Sequence, residues 1–210
     1  MEKRAVALAV LNGLSLLATL VVNGLANGLP LNGQGTGEVS DAYPNLFVPA
    51  GLTFAIWGPI YLLLTAFCVY GLIVTLRAKP GAESIARIGP LFVVNALANC
   101  AWIFAWHWEQ IPLSLLLMLV ILATLIITYL RLDIGRARVG RGERLLVHVP
   151  FSVYLGWITV ATIANVTALL VAVDWDGFGL PTTTWAVVVI ATAIVITVVV
   201  ILTRRDVAYT

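Results

Sequence analysis

The sequence predicts an all-α integral membrane protein, and three observations carry that prediction. Hydrophobic residues make up 61% of the 210 and charged residues only 10%, with a mean hydropathy of +1.02. Soluble domains carry about 25% charged residues, so this chain has too few to cover a surface facing water. Its apolar residues gather into runs that match a bilayer, which takes about 20 residues per helical crossing. Finally, its basic residues fall only between alternate runs.

Six spans follow, at 5–28, 49–76, 88–107, 111–131, 145–172 and 184–203. The first is too long for a secretory signal and has no cleavage site followed by a hydrophilic domain. Lys3 and Arg4 precede it. Arg77, Lys79 and Arg87 separate the second and third spans, and Arg131, Arg136, Arg138, Arg141 and Arg144 the fourth and fifth. Arg204 and Arg205 follow the sixth. The opposite loops hold Glu38, Asp41, Glu109, Asp174 and Asp176 without a Lys or Arg. By the positive-inside rule both termini are cytoplasmic, and one span more or fewer would break the alternation. The excess of Arg over Lys points to a GC-rich prokaryotic genome, hence a multi-pass protein of a prokaryotic cell membrane.

The polar residues inside the spans then need partners, because an amide left alone in hydrocarbon costs several kcal/mol. Asn12, Ser15, Thr19, Asn23 and Asn27 recur at steps of three and four on one face of the first span, beside the small pair Gly24 and Gly28. Such a stripe is a packing seam or the wall of a cavity. In the third span Asn95, Asn99, Trp102 and Trp106 share a face, with Trp106 and Trp108 assigned to an interfacial aromatic belt. The fifth span puts Tyr154 and Asn165 on one face with Trp157 beside it, and Pro150 removes a backbone hydrogen bond near its start. In the second span, the stretch FAIWGPIY sets Phe54, Trp57 and Tyr61 at i, i+3 and i+7, with Gly58-Pro59 bending the helix on the other side.

Three helices thus each offer aromatic rings with amides or hydroxyls. That mixture suits a concave site for a flat, mostly apolar molecule with polar edges, the alternative being an aromatic core that binds nothing. No carboxylate, Lys or Arg lies in mid-membrane, which argues against a proton-coupled pump or an ion-coupled carrier. Cys68 and Cys100 read as buried thiols, not as a disulfide or metal site. No metal site, cofactor, hydrolytic triad, phosphate loop or nucleic-acid partner is expected.

The motifs resemble the TspO/MBR family, the tryptophan-rich sensory proteins related to the mitochondrial translocator protein, or peripheral benzodiazepine receptor. Its second helix has the form P-P-G-W-x-F-x-P-V-W-T-x-L-Y. In YPNLFVPAGLTFAIWGPIY Pro44, Pro49, Gly51 and Phe54 match in order. Leu52 replaces the Trp, Ala50 the second Pro, and Trp57 and Tyr61 come one residue early. The third-helix motif Q-L-x-L-N-x-x-W-S is similar to NALANCAW, with Asn99 and Trp102 in place and Asn95 at the Gln position. The fifth-helix P-Y-L-x-W and its distant Asn correspond to Tyr154, Trp157 and Asn165, with the Pro moved to Pro150.

The resemblance covers about 40–175 and implies a five-helix transmembrane bundle. Residues 1–175 would form it, and 176–210 would be an additional sixth C-terminal helix and a short cytoplasmic tail. It also implies a binder or sensor of porphyrin-like or other hydrophobic molecules. Phe54, Trp57, Tyr61, Asn95, Asn99, Trp102, Tyr154, Trp157 and Asn165 would line an intrabundle pocket. The loop 29–48, with Pro44, Phe47 and Pro49, would be its lid. A porphyrin or haem would be a ligand, and the lipid bilayer the principal partner, with a homodimer left open. Light-dependent porphyrin breakdown is linked to some members, and a transporter or permeability factor for amphipathic molecules is the alternative, as is a lipid-ordering protein without a specific ligand.

Overall fold

The computed structural model describes residues 2–29 and 31–210, and every regular element among them is helical. Helix α1 spans Glu2–Gly28 and is followed by a single turn at Leu31–Gly33 and a short α2 at Thr36–Asp41. A 3-10 turn at Gly51–Ile56 runs into α3, Trp57–Leu76. Then come α4 (Ala82–Ile88), α5 (Leu91–His107), α6 (Ile111–Arg131) and the single-turn α7 (Arg141–Glu143). A π turn at Arg144–His148 leads into α8, Val149–Ala172, and α9 covers Thr182–Arg204.

The long helices close a ring. Helix α1 packs on α3 and α5, α5 on α6, α6 on α8, and α8 back on α3. Lipid offers no hydrophobic drive for this, so small and polar contacts hold the seams. Thr19 donates to the Ala96 carbonyl at 3.4 Å and Asn23 to Asn99 Oδ1 at 2.9 Å. Toward the end of the ring where the basic residues gather, Phe67, Phe92 and Phe151 pack with centroids 5.0–6.1 Å apart.

Helix α9 lies outside the ring against α8, and none of its residues is buried. Lys3–Gly28, Gly51–Leu76, Ile111–Arg131, Arg141–Ala172 and Thr182–Arg204 are five stretches long and apolar enough to cross a membrane. The pair α4 and α5 makes a sixth only if counted as one broken span.

Several expectations are corrected here. The span 88–107 is not continuous: α4 and α5 meet at Gly89-Pro90 with a bend of 55°. Pro90 has no N–H to donate and disfavours helical backbone in the residue before it. Gly89 takes φ 61°, ψ −138°, a backbone open to glycine. The loop 29–48 carries a short helix, α2. Pro150 lies inside the continuous helical stretch Arg141–Ala172, directly after the π turn Arg144–His148, where it has no N–H to donate.

Nor is the C-terminus a free tail. Arg205 turns the chain at φ 55°, and Asp206 and Tyr209 are buried against the bundle. Tyr129 and Ser152 both donate to Asp206 Oδ2, at 2.9 and 2.6 Å, and Tyr209 donates to Thr159 at 2.9 Å. A carboxylate therefore stands between the last turn of α6 and the first turn of α8, at the end of the ring where the basic residues gather. Arg204 pairs with Asp133 at 2.7 Å. Gly135 and Gly156 leave room for this path, because a Cβ on either would collide with the carbonyl of Arg204 or Tyr209.

Candidate functional site

Within the ring, Trp57 is the hub. It stacks on Tyr61 with centroids 5.4 Å apart and meets Tyr154 and Trp157 edge to face at 6.0 and 6.2 Å. Phe54 meets Trp157 at 6.4 Å. On the far wall Trp102 stacks on Trp106 at 5.6 Å and donates its N–H to Asn165 Oδ1 at 3.2 Å. Asn165 in turn donates to Ser114 on α6 at 3.0 Å, which fixes the amide.

Between these walls is a small hollow lined by Pro49, Phe54, Trp57, Trp102, Trp106, Met118, Trp157 and Asn165 among others. Its volume is about 40 Å³. Ligand pockets run to about 300–1,000 Å³, so the rings themselves fill most of the space. Helices α3, α5 and α8 converge as their spacing predicts, on a hollow the size of a water or two.

The larger space lies on the other side of Trp57. A groove of about 440 Å³ opens between α1 and α3, lined by Leu20, Asn23, Gly24 and Asn27 on one side and Phe54, Trp57, Gly58 and Tyr61 on the other. Its glycines keep it open: a Cβ on Gly24, Gly51 or Gly58 would meet nothing within 4 Å. The polar stripe of α1 therefore serves both as a seam, through Thr19 and Asn23, and as a groove wall. Among the buried polar groups without a protein partner, the Tyr61 hydroxyl lines this groove, while the Trp157 indole N–H and Asn99 Nδ2 belong to residues behind its walls, packed on Trp57 and bonded to Asn23.

Asn95 stands apart from this site. Its amide donates to Thr124 Oγ1 at 2.9 Å and to the Ile121 carbonyl at 3.1 Å, so it serves the α5–α6 seam. The three loop residues separate as well. Pro49 lines the hollow, whereas Pro44 and Phe47 line another groove, between α8 and α9.

Trp106 is not part of an interfacial belt. It is buried, lines the hollow, and donates to the Thr36 carbonyl of α2 at 3.0 Å. Trp108 is the exposed one.

The spacing of residues also gave no hint of how the loop is held. His107 is fully buried, bonded through Nδ1 to the Ile103 carbonyl at 2.8 Å and through Nε2 to Thr36 Oγ1 at 3.4 Å. Asn32 donates to the His107 carbonyl at 2.9 Å. Glu109 accepts from Gln34 at 3.2 Å and Tyr43 at 3.0 Å. Tyr43 keeps its proton beyond its ordinary value, because of partial burial first and then the bond and charge of Glu109.

A closed ring of membrane-crossing helices with tryptophans and asparagines turned inward defines a multi-pass integral membrane protein. The chain belongs to the TSPO-like protein family, whose sequence profile matches residues 9–210. That match runs past the 40–175 covered by the motifs and takes in α9, so this helix lies within the family's matched stretch. No curated protein and no solved structure matches the chain.

Proposed function

We propose that this protein binds porphyrin-like or other flat hydrophobic molecules inside the membrane, in the groove between α1 and α3 beside Trp57. The supporting observation is the buried Tyr61 hydroxyl, which lines the groove and finds no partner in the protein; Trp157 and Asn99, in contact with the groove residues Trp57 and Asn23, each leave an N–H unpaired as well. Leaving such groups unpaired is costly, and a guest with carboxylate, carbonyl or ring-nitrogen acceptors relieves that cost. The groove has the volume for such a guest and the hollow does not. Phe54 and Trp57 border both spaces, so their displacement would join them. Loop 29–50, pinned to α5 through Thr36 and Tyr43, covers the same end.

In this reading α9 is a further crossing added outside a five-helix ring, and the basic residues hold both termini on the cytoplasmic side. The test is quenching of tryptophan fluorescence by protoporphyrin with purified protein. Trp157→Phe combined with Asn99→Ala is expected to weaken binding at least tenfold. Unchanged affinity in that pair would discard the site. Saturable binding without flux in proteoliposomes separates a binder from a transporter.

A further inference from the structure

A second groove, of about 460 Å³, lies outside the ring at the end that carries loop 29–50. Its walls are residues 44–47, the last turns of α8, the turn that follows and the first turns of α9. Leu170, Val171 and Val189 make an apolar floor. At its mouth Trp175 and Trp185 form a corner, with centroids 4.7 Å apart and planes at 62°. Trp185 is held there by its N–H, which donates to the Gly177 carbonyl at 2.9 Å. Gly177 sits at φ +65°, and a Cβ on it would stand 3.1 Å from that indole nitrogen, so the close approach needs glycine.

The formal charge in this groove is negative. Asn45 spends its amide on its own turn, donating to the Tyr43 carbonyl and accepting the Phe47 N–H, each at 2.9 Å. Thr167 donates to the Ala164 carbonyl. The one formal charge in the lining is Asp176, which gives one oxygen to the Phe178 N–H at 2.9 Å and keeps the other free. Asp174 lies two residues away, and the loops at this end contain no Lys or Arg. Indole faces attract cations through their quadrupole, Trp most strongly of the aromatic residues. An anion would meet the field of Asp174 and Asp176 instead.

We propose that this groove binds a single-tailed amphipathic organic cation, a quaternary or tertiary ammonium with a short apolar chain. The ammonium rests in the Trp175–Trp185 corner beside Asp176, and the tail lies along Leu170, Val171 and Val189. The volume suits a molecule of drug size and is too small for a two-chain lipid. This site is independent of the α1–α3 groove and shares no lining residue with it.

The experiment is equilibrium dialysis of hexyltrimethylammonium against the full-length protein in a non-ionic detergent. Saturable binding of one molecule per chain is expected, with none for hexyl sulfate. Asp176→Asn, which keeps an oxygen for the Phe178 N–H and so leaves the turn intact, is expected to weaken binding at least tenfold. Trp185→Leu is expected to do the same, while protoporphyrin quenching keeps its affinity in Asp176→Asn. Absence of saturable binding, equal binding of hexyl sulfate, or undiminished affinity in Asp176→Asn overturns the proposal. Displacement of the probe by dihexanoyl phosphatidylcholine at matching concentration overturns the choice of occupant, assigning the groove to a lipid headgroup.

Discussion

Asn23 on α1 and Asn99 on α5 share a hydrogen bond of 2.9 Å from Nδ2 to Oδ1, across a seam with no charge in it. The bond from Asn23 ties the Asn99 amide to α1 through its Oδ1. Hydrogen bonds between membrane helices average about 0.6 kcal/mol and reach about 1.7. A double-mutant cycle with Asn23→Ala and Asn99→Ala, read by unfolding in mixed micelles, is expected to give a coupling in that range. A coupling of zero would mean that the seam is held by packing alone.

The Tyr43–Glu109 bond at 3.0 Å ties loop 29–50 to the turn after α5 and makes loop attachment depend on pH. Tyr43 has its pKa raised above 10.0 by burial, by the bond and by the Glu109 charge. The folded state therefore holds the proton more tightly than the unfolded chain does. Its stabilising contribution is full below the ordinary tyrosine value and is lost as pH rises through the folded one. Amide exchange of residues 36–48 is expected to accelerate above about pH 10 in the native sequence. In Tyr43→Phe that step disappears. An identical alkaline step in both proteins would assign it to another group.

The C-terminal segment latches α9 to the ring. In Gly156→Ala the new methyl collides with the backbone carbonyl of Tyr209, which no side-chain rotation relieves. Residues 206–210 are expected to leave their groove, so that a cysteine placed at Ala208 reacts with maleimide much faster than in the parent. Asp206→Ala is expected to release the segment too, since Tyr129 and Ser152 lose a shared charged acceptor. Bonds to charged groups are worth about 1.5–3 kcal/mol each. Unchanged labelling rates in both variants would contradict the latch.

What the sequence made legible is what repeats along one helix. Hydropathy and the alternation of basic residues marked the membrane-crossing stretches. Steps of three and four turned Asn99 and Trp102 inward, as did the pair Tyr154 and Asn165. What escaped was decided by residues far apart in the chain. Trp106 looked interfacial because its partner, the Thr36 carbonyl, lies 70 positions away. His107 is bonded to the same threonine, 71 positions away. Asp206 falls in what the sequence presented only as a short tail; its partners Tyr129 and Ser152 are 77 and 54 residues upstream. The hollow's small size was equally hidden, because spacing gives the direction of a ring but not how far it reaches toward its neighbours. The break at Gly89-Pro90 was written in the sequence, yet a count of apolar residues passes over it.

The claim that bears the most weight is that the guest lies between α1 and α3 beside Trp57, and the glycines of that groove test it most directly. A Cβ on Gly24 meets nothing within 4 Å, as is also true of Gly13, which does not line the groove. Both replacements by Leu suit a helix, where Gly is worse than Leu by up to about 1 kcal/mol, so neither is expected to unfold the protein. The measurement is the protoporphyrin affinity of Gly24→Leu against Gly13→Leu by fluorescence quenching. At least a tenfold loss in Gly24→Leu, with Gly13→Leu unchanged, is the predicted result. Parent-like affinity in Gly24→Leu would contradict it.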